Sequence, residues 1–271
     1  MAMEPVHLTD RAVIALEGAE ARDFLQGLVT NDLARLTPGT GLYAALLTPQ
    51  GKILFDFLIT EGDGALLLDC AADRAEALVK RLTMYRLRAP VGIAIRPQLS
   101  VFAGLSGRPA ERAVTFADPR HAGLGPRSLG AAAEMPDFLQ GPAVYHAERL
   151  ALGIPEAADF GSEKIFALDA GLEELHGVAF DKGCYVGQEL TSRMKHRGTA
   201  RKRILVISGD TLLAPAGTPI LGGDLEIGEI VSAYGARGFA LMRLDRLEET
   251  SAPLTAGGQR VTLSRPEWLT A

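Results

Sequence analysis

The sequence predicts an α+β region followed by a small β-barrel, and three observations carry that reading. Two β-type runs, 42–48 and 52–61, flank Pro49-Gln50-Gly51, a hairpin signal. Residues 71–84 place Ala75, Leu78, Val79 and Leu82 at helical spacing with Arg74, Lys80 and Arg81 between them, an amphipathic helix suited to cover one sheet face. Beyond residue 200 come short β-type runs separated by glycine-rich turns and no helical pattern, as in a small barrel. Helices set against an antiparallel sheet define the α+β class.

Residues 12–16 form an apolar run closed by Gly18 and read as a strand. In 19–33, Phe24, Leu25 and Leu28 share one helical face, with Glu20 and Asp23 near the positive end of the helix dipole. Thr37-Pro38-Gly39 ends this unit. After the hairpin, Gly62-Asp63-Gly64 turns the chain into a third strand, 65–70, ahead of the amphipathic helix. Residues 91–95 and 99–103 read as further strands. From 104 to 141 the composition shifts to Gly, Pro, Ala and Arg, and the expectation is irregular structure with one weak strand at 113–116. A helix over 142–152 stops at Gly153 and Pro155. The expected barrel strands are 204–208, 218–221, 225–232, 239–244 and 260–263, so the domains divide into 1–200 and 201–271.

Composition narrows the function. The chain is 47% hydrophobic with a mean hydropathy of +0.12, and no apolar run approaches the roughly eighteen residues a membrane helix needs. A net charge of -5 gives no global attraction to nucleic acid, so any such contact must be local. Two cysteines, Cys70 and Cys184, make no disulfide framework in a chain this long, and a reducing compartment suits a free thiol. The N-terminus has an early acid, Glu4, and no apolar core region, so neither a secretory signal nor an Arg-rich transit peptide is visible and the expected location is the cytoplasm. The histidines show no ligand spacing with either cysteine, and no four-cysteine set or phosphate-binding glycine loop occurs, so no metal or nucleotide site is expected.

Chemistry concentrates in Asp181-Lys182-Gly183-Cys184-Tyr185-Val186-Gly187-Gln188-Glu189. Gly183 and Gly187 can take positive φ and admit another molecule close to the main chain. Lys182 shares a face with Cys184 if the segment is extended, and an ammonium there would favour the nucleophilic, metal-ligating thiolate. The residues fit equally a small buried cysteine beside turn-forming glycines.

The string Lys-Gly-Cys-Tyr-Val-Gly-Gln-Glu resembles the signature of the YgfZ family, folate-binding relatives of the aminomethyltransferase (T-protein) of the glycine cleavage system. The likeness continues through the basic run 190–203, and 24–33, 43–59 and 145–156 resemble other family segments in family order. The resemblance implies two interleaved, ferredoxin-like α+β subdomains, the second over about 42–140, and a C-terminal barrel around a central channel. It further implies a folate-binding accessory factor for assembly or repair of iron-sulfur clusters, notably in tRNA-thiolating enzymes, with tetrahydrofolate or a derivative as cofactor and assembly proteins or client enzymes as partners.

Candidate residues follow. Cys184, supported by Lys182, is the working thiol. Asp56, an acid within an apolar run, stands where the aminomethyltransferases carry a pair of acids, the first of which is Phe55 here. Tyr145 and Arg149 lie one helical turn apart and can grip a flat polar ligand, although a glutamate of the folate-binding relatives is replaced by Ala151. Tyr185 can stack on an aromatic ligand or pack, Gln188 can bind a polar ligand or hold the loop, and Asn31 either caps the first helix or reaches the same pocket. Arg193, Lys195, Arg197, Arg201, Lys202 and Arg203 are six cations within eleven residues, read as a strand that either docks an anionic ligand or acidic partner or is simply solvated. Two rival functions remain: a folate-dependent one-carbon transferase using Asp56, and an RNA-binding module through Arg193 to Arg203.

Overall fold

The computed structural model describes residues 4–105, 110–135, 140–198 and 201–269, with the Arg197 side chain excepted. The chain enters through β1 (Val6–His7) and β2 (Arg11–Glu17), followed by α1 (Ala21–Gln26). Strands β3 (Leu42–Leu47), β4 (Ile53–Gly62) and β5 (Ala65–Ala71) lead to α2 (Ala75–Arg86) and β6 (Gly92–Ile95). Then come β7 (Ser100–Ala103), β8 (Val114–Ala117), β9 (Pro126–Gly130), α3 (Pro142–Ala151), α4 (Ala157–Phe160) and α5 (Gln188–Arg197). The C-terminal part holds β10 (Lys202–Gly209), β11 (Pro219–Gly222), β12 (Leu225–Tyr234), β13 (Arg237–Arg243), α6 (Leu244–Glu249), β14 (Leu254–Ala256) and β15 (Gln259–Ser264).

These strands make two antiparallel sheets and a barrel. One sheet is ordered β3-β4-β5-β2-β6, the other β1-β7-β9-β8, and the barrel closes as β10-β13-β12-β11-β14-β15. The chain starts in the second sheet, crosses to the first for β2 to β6, and returns at β7, so residues 42–140 contribute strands to both sheets.

Burial explains why the strands lack polar alternation. In β2, Val13 and Ala15 enter the central core while Ile14 and Leu16 pack under α1 and α2. Both faces of this sheet are covered, so its period of two shows in destination rather than polarity. The central core also takes Val101 and Leu129 from the second sheet and Ile204, Val206, Phe239 and Leu241 from the barrel, joining all three layers in one apolar body.

Four expectations are corrected. The first helix ends at Gln26, because Val29 bridges Leu46 and the Thr30 amide bonds the Ala45 carbonyl, so tertiary pairing overrides helix periodicity. The basic run is helical as far as Arg197 and becomes a strand only from Lys202. Strand β9 lies inside the stretch expected to be irregular, and the barrel region includes α6 and β14. Residues 106–109 and 136–139 of that stretch lie outside the described residues.

Candidate functional site

Cys184 is exposed, on the strap that runs from His176 into the N-terminus of α5. The strap contains neither helix nor strand and is stitched to residues 26–35. Asn31 Nδ2 donates to the His176 carbonyl and Thr30 Oγ1 to the Gly177 carbonyl, at 2.7 and 2.6 Å. The Ala179 amide returns a bond to the Thr30 carbonyl at 3.0 Å. Arg35 grips both carboxylate oxygens of Asp181, at 2.5 and 2.7 Å.

Lys182 completes the seam. Its Nζ donates to the carbonyls of Gln26, Val29 and Asn31 at 2.7, 2.6 and 2.9 Å. An ammonium has three N–H groups, so none is left for a thiolate. The expectation that Lys182 activates Cys184 by direct contact is therefore replaced by an anchoring role at carbonyls that end the first helical segment. Burial pushes its ammonium down to about 8, countered by nearby Asp32.

The far end of the strap is held by shape. Gly187 has φ +83°, and a Cβ there would stand 2.5 Å from the Thr48 carbonyl oxygen and 3.2 Å from Gly51 Cα in the β3–β4 turn. Gly187 is required by this close approach, whereas Gly51 is favoured by its φ of +75° rather than by crowding.

Of the neighbouring candidates, Tyr185 and Asn31 are engaged within the fold. Tyr185 is 6% exposed and belongs to the central core, where burial pushes its phenol up to about 12. It presents no free face for stacking. Gln188 is half-buried at the first position of α5, and Glu189 pairs with Arg193 one turn on at 2.7 Å. Asn31 is a stitch: besides His176, it donates to the Tyr43 carbonyl at 2.7 Å, and its Oδ1 accepts from the Asp32 amide.

The basic candidates do not form one unpaired patch. Lys195 pairs with Glu173, and Arg203 pairs with Glu174 at 3.3 Å while donating to the Leu168 carbonyl at 2.7 Å. Arg201 and Lys202 are exposed, and the Arg197 side chain lies outside the described residues. Such mixed surface pairs contribute little stability but cancel local charge.

Asp56, Tyr145 and Arg149 lie in the interior, in a network of matched charges. Arg11 Nε bonds Asp69 at 2.6 Å, and Arg120 forks onto Asp118 at 3.0 and 2.7 Å while reaching Glu156 at 2.7 Å. Arg127 bonds Asp118 at 3.1 Å, and Arg149 bonds Asp159 at 2.6 Å. Tyr145 OH accepts from Arg120 and Arg127 and donates to Glu156, at 2.6, 2.7 and 2.8 Å. Asp159 also accepts from Ser232 at 2.6 Å and Tyr234 at 2.9 Å, which fastens β12 of the barrel to α4.

Four arginines thus face four carboxylates, and Asp56 is the fifth acid. Its hydrogen bond comes from Tyr43 OH at 3.1 Å. Burial, then the charge of Glu156, push its carboxyl up to about 6 against the pull of Arg11 and Arg120. Burial would also raise Glu156, but Arg120, Arg11, Arg149 and Arg127 hold it well below the carboxylate range. Among the described residues no group of three or more His, Cys, Asp or Glu could hold a metal ion.

With this geometry, the comparisons with known proteins become specific. Residues 201–271 match the family model described as the C-terminal beta-barrel domain of CAF17. The mouse and human proteins named "Iron-sulfur cluster assembly factor IBA57, mitochondrial" are 32% and 31% identical over 96% of this chain and 84% of theirs. The chain belongs to the IBA57 family. A homologue of IBA57 from Neurospora crassa is 32% identical over 73% of this chain and 52% of its own length. In fold, the chain is similar to the glycine cleavage system aminomethyltransferase T from Bartonella henselae, with a TM-score of 0.79, 15% identity, and coverage of 99% of this chain and 86% of that one.

Two corrections follow. The IBA57 relatives are mitochondrial by name, which overturns the cytoplasmic placement inferred from the first residues. The YgfZ likeness survives at the coarser level of an aminomethyltransferase-like fold with a C-terminal barrel, while the relatives matched along the chain carry the IBA57 name.

A folate, implied by the resemblance, does not fit the residues present. Tyr145 and Arg149 are 0% exposed, and their polar groups bond other members of the network. Sequence reasoning missed Thr30, Arg35, Arg120, Arg127 and Asp159. Thr30 lies in the family-like segment 24–33, whereas Arg35 falls just beyond it and its partner Asp181 is 146 residues away. Arg127 and Asp159 bond charged groups nine and ten residues away, and Arg120, although two residues from Asp118, also needs the distant Glu156.

Proposed function

We propose that this IBA57 family member assists iron-sulfur cluster assembly through Cys184, which contributes one thiolate to a cluster whose other ligands come from a partner protein. The observation that carries the reading is the exposure of Cys184 on a strap fixed at both sides by Lys182, Asp181 and Gly187. A lone thiolate cannot complete an iron-sulfur site, which needs four protein ligands. The cluster is therefore cargo, passed on to client enzymes, with tRNA-thiolating enzymes the clients suggested by the sequence resemblance. Cys70 is unsuited to this role: it is 1% exposed, and burial pushes its thiol up to about 12.

The two rival functions are less favoured. Transferase chemistry through Asp56 would have to act from a carboxyl 4% exposed and bonded to Tyr43. RNA binding through Arg193 to Arg203 would draw on cations of which Arg193, Lys195 and Arg203 already pair with Glu189, Glu173 and Glu174.

The test is replacement of Cys184 by Ser in cells lacking the native copy, reading the activities of iron-sulfur enzymes, the tRNA-thiolating ones included. Loss of those activities with the variant protein folded and at normal abundance is expected. Full rescue would remove the thiol from the mechanism.

A further inference from the structure

We infer that the interior of the α+β region is closed to folate, and that a network of matched charges stands where the ligand of an aminomethyltransferase-like protein would be held. The inference is separate from the role of Cys184, which lies on the surface.

Three observations carry it. First, the expected recognition groups are engaged with one another. Tyr145 OH has three partners, and Arg149 donates to His146 Nδ1, the Ile154 carbonyl, Asp159 and Tyr234 OH at 2.9, 3.1, 2.6 and 3.2 Å. A pterin could use these groups only by displacing a buried charge from its partner, and a buried charge left unpaired is among the costliest defects in a protein.

Second, Asp56 faces the wrong demand. A carboxylate that recognises a pterin must be ionised and free to accept two N–H bonds. Here one oxygen already accepts from Tyr43, and burial, then the charge of Glu156, make the ionised form costly to keep in the interior.

Third, space is short. A cleft of about 260 Å³ lined by Leu54, Phe55, Asp56, Cys70, Arg74 and Ala157 touches the network at Asp56. Ligand pockets generally occupy roughly 300 to 1,000 Å³. The buried network atoms without a partner are Asp69 Oδ2 and Arg127 Nε and Nη1, with Nε 3.6 Å from that oxygen. Nε and that oxygen thus face each other as a loose ion pair.

The experiment titrates tetrahydrofolate, under anaerobic conditions, into the full chain and into the conservative variants Tyr145→Phe and Asp56→Asn, by calorimetry and by thermal melting. A ligand present at about 100 times its Kd would raise the melting temperature of a chain this size by roughly 5–10 °C. The expected result at millimolar folate is no saturable heat and no shift. Binding of equal strength in wild type and both variants would place folate outside the interior and also uphold the inference. Saturable binding to the wild type that is weakened tenfold or more in either folded variant would overturn it. That outcome would leave the Cys184 reading intact, since the cellular test of Cys184→Ser reads a different group.

Discussion

Asp56→Asn should make the protein more stable at neutral pH, although it removes a buried polar contact to a tyrosine. The four arginines of the interior are matched by Asp69, Asp118, Glu156 and Asp159, so an ionised Asp56 is a surplus negative charge beside Glu156. Its carboxyl rises from an ordinary 3.8 to about 6. The folded chain therefore keeps a proton that the unfolded chain releases between about pH 4 and 6, and stability falls as pH rises through that window. That rise of the carboxyl corresponds to about 3 kcal/mol above pH 6. Asparagine is neutral at every pH and can still accept from Tyr43 OH. The expected gain at pH 7.5 is about 2–3 kcal/mol, or roughly 5–10 °C in melting temperature. At pH 4, where Asp56 is protonated in the folded chain and about half protonated in the unfolded one, the gain should shrink to roughly 0.5 kcal/mol. Asp169, also raised to about 6 by burial, adds a similar slope to wild type and variant alike, so their difference isolates Asp56. Urea unfolding at pH 4, 5, 6 and 7.5 measures it. A variant no more stable than wild type at pH 7.5, or one equally stabilised at pH 4, would refute the charge balance described for the interior.

Three further outcomes test the architecture of the strap and the interior. Gly187→Ala puts a Cβ 2.5 Å from the Thr48 carbonyl oxygen at φ +83° and should cost at least about 2 kcal/mol, read in a thermal melt alongside a changed alkylation rate at Cys184. Lys182→Met leaves the Gln26, Val29 and Asn31 carbonyls without their donor and should cost about 2–4 kcal/mol, with faster hydrogen exchange over 176–184 than in wild type. Arg149→Met leaves Asp159 without its cation in the interior and should cost about 3–5 kcal/mol in urea unfolding, whereas a loss under 1 kcal/mol would mean that water reaches the site.

Local chemistry made part of the structure legible. The β3–β4 hairpin, α2 and most barrel strands follow from runs and turns that any short window contains. Helix α5 was equally visible in principle: Leu190 and Met194 are half-buried at i,i+4, with Glu189 in the first turn and paired to Arg193. The density of cations drew the reading toward a strand. Strand β9 was hidden for a stronger reason. Its Arg127 and Ser128 are buried, and a buried arginine makes sense only beside Asp118 and Tyr145, which lie 9 and 18 residues away. An exposed Cys184 was one of two readings its glycines allowed equally, and the anchoring use of Lys182 was not legible, because its acceptors are main-chain carbonyls more than 150 residues distant and carry no side-chain signature.

The seam explains why two segments far apart in sequence both resemble the family. Residues 24–33 supply the carbonyls, the hydroxyl and the amide that hold the strap, and the strap supplies the lysine and carbonyls that complete them. Each is a partly unsatisfied backbone without the other, so a change in either should loosen Cys184 without touching the thiol itself. The interior network answers to different constraints, because its members bond one another across α3, α4, the two sheets and β12. Substitutions there should shift global stability while leaving the chemical reactivity of Cys184 in the folded chain unchanged. Substitutions in the seam should change thiol reactivity in the folded chain as well as melting temperature. Comparing alkylation rate with melting temperature across both sets therefore separates a fold-stabilising core from a thiol-presenting surface. A single correlation line through both sets would show that the two are one cooperative unit.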